Sequence, residues 1–137
     1  MLNENDIIAA VCSYLEESGY EVTQRLKTSE KGTDIICRRN GTDETIRIEA
    51  KGGTSSRPGS ARYGKAYTQS QVFDLVAKGF FAACRLLSQS SATSQHVALA
   101  VPDESLFRTY LESIKPALVR LGISTLLVAE NRSVRRI

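Results

Sequence analysis

The run ETIRIEAK, Glu44 to Lys51, holds an acid and a lysine two residues apart. On a strand, that spacing sends Glu49 and Lys51 out of one face while Ala50 points the other way. Upstream, Asp34 opens a short β-branched run, DIICRR, that ends at Arg39. Asn40-Gly41 lies between the two runs, and both residues accept positive φ, so a hairpin is expected. If Asn40 to Asp43 form a four-residue turn, Asp34 falls directly opposite Glu49. If Asn40-Gly41 alone form the turn, Asp34 faces Arg47 and lies diagonal to Glu49. Either register leaves Asp34, Glu49 and Lys51 on one face. Two facing carboxylates repel, and a hard cation such as Mg²⁺ would offset that cost, because carboxylate oxygens are its preferred protein ligands. A lysine beside them can hold an attacking water and offset charge on a phosphate.

The surrounding pattern must place that face. Asn3 or Asn5 can cap a first helix carrying Ile7, Ile8, Val11, Cys12 and Leu15, with Gly19 as its stop. Tyr20 to Thr28 reads as a strand whose alternation is broken at Val22, Arg25 and Leu26. Ile35, Cys37, Ile46, Ile48 and Ala50 make the apolar side of the hairpin and belong in the core. Gly52 to Gly64 is a Gly/Ser-rich loop without apolar period. A second helix is expected from Lys65 or Ala66 to about Ser88, with the stripe Val72, Leu75, Val76, Phe80, Ala83 and Leu87. His96 to Val101 is a near-continuous apolar run, as for a strand covered on both faces. Asp103 is the expected cap of a third helix containing Pro116 and ending at Gly122. Ser124 to Ala129 is another buried strand, followed by a turn into a short tail strand. The order α-β-β-β-α-β-α-β predicts an α/β domain with a single mixed sheet flanked by helices.

The 137 residues, 42% hydrophobic and 24% charged, suit one domain spanning 1–137. No apolar run reaches the ~20 residues needed to cross a bilayer, and the acidic, polar start does not read as a signal peptide. Cys12, Cys37 and Cys84 are widely spaced in apolar surroundings and read as buried thiols in a reducing compartment, so a cytoplasmic location without membrane contact is expected. The net charge of +3 is unevenly spread. Lys51, Arg57, Arg62 and Lys65 fall in a stretch without acids, interleaved with Tyr63 and close to Tyr67, a composition suited to phosphates and bases. The plain alternative is a solvated loop. Arg38 and Arg47 share the face of Asp34 and Glu49, and are either phosphate contacts or partners of Glu44 or Asp34. His96 has no second histidine to support a zinc or nucleophile-base reading, so core or edge packing is its expected role.

Gly32 to Asp34 (GTD), followed across a hairpin by Ile48 to Lys51 (IEAK), resembles the PD-(D/E)xK nuclease superfamily, which includes restriction endonucleases and Holliday-junction resolvases. The element order and the first helix ending in ESGYEV also match, while Gly32-Thr33 replaces the usual proline before the acid. The resemblance implies a restriction-endonuclease-like fold and Mg²⁺-dependent hydrolysis of DNA phosphodiester bonds, with Mn²⁺ able to substitute. It assigns metal binding to Asp34 and Glu49 and a catalytic role to Lys51. Some members carry a further acid on the first helix. Glu4 lies on the inward stripe there and either joins the metal site or favours the helix terminus; Asp6 is off that stripe. Some branches use a glutamine on the second helix, for which Gln69, at its inward start, and nearby Gln71 are candidates; a satisfied amide is the plain alternative. DNA is the implied partner, recognised mainly through its backbone, and a homodimer is compatible with this reading. The rival readings are a nucleic-acid-binding or regulatory protein without catalysis on the same fold, and an interaction partner within a defence or mobile-element system.

Overall fold

A computed structural model describes residues 1–89 and 95–137. The elements follow in the order α1 (Glu4–Glu17), β1 (Tyr20–Arg25), β2 (Ile35–Arg39), β3 (Thr45–Ala50), α2 (Gln69–Gln89), β4 (Gln95–Pro102), α3 (Ser105–Leu121), β5 (Ile123–Val128) and β6 (Val134–Arg136). The strands form one six-stranded sheet in sequential order, β1 to β6. The pairs β1–β2, β2–β3 and β5–β6 are antiparallel, whereas β3–β4 and β4–β5 are parallel. The expected α/β class, mixed sheet and tail strand are all present. No helix among the described residues is long and apolar enough to cross a membrane.

The two sheet faces bury different helices. On one, α1 packs Ile7, Ile8, Val11 and Leu15 against Ile35, Cys37, Ile48, Ala98 and Leu126. On the other, α2 and α3 set Val72, Val76, Ala83, Phe107 and Leu111 against Val97, Leu99, Val101 and Leu127. Strands β4 and β5 are covered on both sides, which accounts for their unbroken apolar sequence. Helix α1 begins with a reciprocal cap: Asp6 N donates to Asn3 Oδ1 at 2.9 Å, and Asn3 N donates to Asp6 Oδ2 at 3.0 Å. Helix α3 ends where Gly122 takes φ +73°, a conformation that favours glycine.

The β2–β3 pairing decides between the two sequence-level registers. Ile35 sits opposite Ile48 and Arg38 opposite Thr45, and Arg39 N donates to Glu44 O at 2.8 Å. The turn is therefore the four-residue one, and Asp34, one step before β2, lies opposite Glu49.

Several boundaries and roles differ from expectation. Strand β1 ends at Arg25 rather than Thr28, after a bulge between Val22 and Gln24 that breaks its alternation. Helix α2 starts at Gln69, not Lys65, because Thr68 and Gln71 close its end: Thr68 N donates to Gln71 Oε1 at 2.8 Å and Gln71 N to Thr68 Oγ1 at 3.4 Å. Glu104, not Asp103, is the cap residue of α3 and makes no side-chain cap bond. Asp103 is drawn away by two arginines, Arg108 and Arg135. Cys12 and Cys37 are buried, but Cys84 is only half-buried. His96 is exposed, with Nε2 3.3 Å from Glu44 Oε1, so it does not pack in the core.

Helix α2 comes close to the sheet because Gly79 lies in its buried stripe. A Cβ there would stand 2.8 Å from Leu99 Cδ1 and 3.5 Å from Lys51 Cγ. Gly79→Ala should gain about 1 kcal/mol of helix propensity but lose about 1–3 kcal/mol to overpacking. The expected outcome is a lower denaturant midpoint with an unchanged m-value. A midpoint raised by the full propensity gain would show that α2 does not seat on Leu99 as described.

Candidate active site

The candidate site forms where three elements meet at the carboxyl end of β3. Asp34 supplies the first side chain. It is only 8% exposed, and its Oδ2 accepts from Ala50 N at 2.8 Å. That bond ties the acid to the neighbouring strand, and Oδ1 has no hydrogen-bond partner among the described residues. The segment before it is held by Leu26 N donating to Asp34 O at 2.9 Å and Gln24 Nε2 donating to Thr33 O at 2.7 Å. Glu49 and Lys51 leave the same face of β3, and Lys51 Nζ donates to Glu49 Oε1 at 3.0 Å. The Lys51 backbone is fixed in turn by donating to Ala100 O at 2.9 Å. Both side chains of this pair are largely buried, at 16% and 15% exposure, so the pair is shielded from the solvent that weakens a surface ion pair.

Glu4 enters from the far face of the sheet. Helix α1 lies against the opposite side, but its first turn passes the sheet's end. Gly52 permits this: a Cβ there would lie 2.3 Å from Glu4 N and 2.6 Å from Asn3 C, both backbone atoms that cannot give way cheaply. Gly53 N donates to Leu2 O at 2.8 Å, and Thr54 bridges Asn3 in parallel. The start of the expected loop is thus buried and tied to α1, although its sequence carries no apolar period.

Burial and mutual charge couple these groups. Burial raises the Glu4 carboxyl to about 7; Asp34 and Glu49 add to the rise and Lys51 opposes it. Burial likewise raises Asp34 to about 6, against the pull of the Ala50 N–H. For Lys51, burial acts to lower the pKa, but Glu49, Glu4 and Asp34 outweigh it and the net direction is upward. Three acids thus surround one ammonium with too little water to disperse their charge. No three His, Cys, Asp or Glu side chains among the described residues stand as a ready-made metal group. Asp34 and Glu49 with solvent and a phosphate nevertheless suit Mg²⁺, which commonly takes only one or two protein carboxylates. Asp6 takes no part: it closes the α1 cap and pairs with Arg132 at 3.1 Å.

The other expected residues divide. Arg47 lies on the site's face, half-buried. Arg38 is exposed and pairs with Glu21 at 3.3 Å, not with Glu44 or Asp34. Arg57 helps line a cleft of about 180 Å³ beside Glu4, together with Thr28, Thr54, Ser55 and Tyr67. Arg62 is half-buried, with Nη1 3.5 Å from Ala66 O, while Lys65 is exposed in the approach to α2. Gln69 faces solvent instead of the interior, because the buried stripe runs Val72, Val76, Gly79, Ala83. Gln71, half-buried, spends its amide oxygen on the α2 cap. The residues that pattern reading passed over are Gly52 and Gly79. A glycine inside a helical stripe, disfavoured by about 1 kcal/mol, is itself a signal of close approach.

With this geometry in hand, comparison with known proteins adds no assignment: no family model, curated protein or solved structure matches the chain.

In the metal-free protein Glu4 binds its proton more tightly when folded, at about 7, than at its ordinary 4.5. Its contribution to stability is therefore complete below about pH 4.5 and is lost as pH rises through 7. Glu4→Gln removes that loss, although it also gives up about 0.3–1 kcal/mol of charge–dipole attraction at the helix start. The variant should be more stable than the parent by about 1–3 kcal/mol near pH 8, and the two should converge near pH 4. Urea titrations in chelator at both pH values test this; a variant less stable at pH 8 would place Glu4 in solvent.

Proposed function

We propose that the chain is a divalent-metal-dependent nuclease that hydrolyses DNA phosphodiester bonds, on a restriction-endonuclease-like fold of the PD-(D/E)xK type. One observation carries the reading. Asp34 and Glu49 face each other across an antiparallel pair with a lysine joined to one of them, and all three are largely withdrawn from water. Such an arrangement is costly unless something cationic or anionic is to be handled there. The element order and the hairpin origin of the three residues support the fold-level reading.

Asp34, through its Oδ1, and Glu49 would hold the metal, with Glu4 as a further carboxylate nearby. Mg²⁺ or Mn²⁺ bound there would polarise a phosphate oxygen and make a bound water more acidic. The protein's own residues supply the rest. The Ala50 N–H fixes Asp34 in one orientation. Lys51, held by Glu49 at 3.0 Å, offers its remaining N–H donors to the attacking water and to the phosphate, offsetting charge that grows as the bond forms. Its stem passes Gly79 of α2, where an added Cβ would stand 3.5 Å from Lys51 Cγ. Burial lowers the local dielectric and strengthens each of these interactions.

Labelled duplex, flap, junction and single-stranded DNA, and RNA counterparts, incubated with Mg²⁺, Mn²⁺ or EDTA, test the reading directly. Cleavage should require the dication. Asp34→Asn and Glu49→Gln should each slow it by about 100-fold or more, and Lys51→Ala by about the same factor, with folded circular dichroism in all three. Calorimetry should find metal affinity reduced in the two acid variants and retained in Lys51→Ala, since an ammonium is not a metal ligand. Parental cleavage rates in Asp34→Asn or Glu49→Gln would refute the assignment.

A further inference from the structure

The only buried side-chain polar atom without a hydrogen-bond partner among the described residues is Arg47 Nε. Buried polar atoms are almost always satisfied, so a lone exception needs a cause. Arg47 also has no ion-pair partner among the described residues. The neighbouring cations differ: Lys51 is taken by Glu49, Arg38 by Glu21 and Arg39 by Glu44. Among the basic residues of the hairpin, Arg47 alone keeps its charge unspent.

Its position is also specific. Arg47 is two residues from Glu49 on β3, so it leaves the same face. Its lateral neighbours are Ile36 on β2 and Val97 on β4. Apolar residues therefore stand beside Arg47 on both neighbouring strands. Nε is sealed from water, whereas Nη1 and Nη2, which make no bond among the described residues, are not. A guanidinium closed at its root and open at its tip presents its paired donors outward, the geometry that suits a phosphate. Two strand residues advance about 7 Å, comparable to one phosphate-to-phosphate step along a nucleic acid strand.

We infer that Arg47 anchors a second phosphate site, one backbone step along the nucleic acid from the phosphate held at Asp34, Glu49 and Lys51; this rests on the nuclease reading above. The contact is independent of sequence and makes Arg47 a positioning residue. It fixes the register of the strand so that the scissile linkage meets the carboxylates. The open tip of the guanidinium is the part of Arg47 that meets this phosphate.

The test uses oligonucleotides in which single linkages around the cut are replaced by neutral methylphosphonates, with wild type and Arg47→Met compared. Methionine keeps an apolar stem of similar length and removes the charge, so the packing of the half-buried stem is retained. Wild type should lose about tenfold in half-saturating concentration when the linkage next to the cut is neutral. Arg47→Met should start about tenfold weaker on the unmodified DNA and lose nothing further at that linkage. Arg47→Lys should recover part of the loss. The salt dependence of binding in Arg47→Met should flatten by about one phosphate contact. A parental interference profile in Arg47→Met would overturn the proposal while leaving the nuclease reading intact. If wild type binds DNA but cuts none, the nuclease reading fails. A flattened slope in Arg47→Met would then still uphold the phosphate site, and an equal slope would remove it.

Discussion

The register of β2 against β3 is the constraint on which everything at the site depends. Side chains alternate along a strand, so a slip of one residue would send Asp34 or the Glu49–Lys51 pair into the α1 core. That slip is prevented from both sides. On the apolar face Ile35 and Ile48 face each other at 0% exposure and would have to surface. On the polar face the Ala50 N–H is already bonded to Asp34 Oδ2, which ties the acid to one register. Hydrophobic burial thus supplies the energy that keeps two acids together, and the hydrogen bond supplies the orientation.

The acids are brought together against their mutual repulsion. Glu4 and Asp34 both lie above their ordinary pKa with burial as the first cause, and a neighbouring carboxylate adds to it in each case. Lys51 offsets part of this, and the chain pays for the remainder with its core. Local propensity would not choose such an arrangement, and conflicts of this kind concentrate where function is carried. Gly52 and Gly79 show the same priority. Each gives up a side chain so that backbone, at Gly52, or the Leu99 side chain, at Gly79, can come close.

The two faces of the sheet divide the labour. The α1 face carries a continuous apolar cluster beneath its helix, from Leu2 to Val128. The α2/α3 face is apolar over β4 and β5 but turns polar over β2 and β3, where Asp34, Arg47, Glu49 and Lys51 emerge. Because β3 sits between the antiparallel hairpin and the parallel strands, its carboxyl end lies at the sheet's change of connection. Open α/β sheets tend to bind ligands outside the carboxyl ends of their strands.

The sequence by itself determined the elements and the identity of the central residues. Periodicity placed α1, α3 and the buried β4 and β5, since burial on one or both faces writes directly into the spacing of apolar residues. The period of two on β3 put Glu49 and Lys51 on one face whatever the rest did, and the stripe of α1 pointed Glu4 inward. Tertiary structure alone decided the remainder. It chose the four-residue turn, and so set Asp34 opposite Glu49, because the turn length depends on which strand ladder closes. It started α2 at Gln69, where a Thr68–Gln71 cap won over a helical pattern that could run from Lys65, and it left Gln69 in solvent. It drew Asp103 from its expected cap to Arg108 and Arg135. It also carried Glu4 around the sheet's end through the contact at Gly52. Each of these depends on groups far apart in the chain meeting at one point, and no local pattern of residues encodes such a meeting.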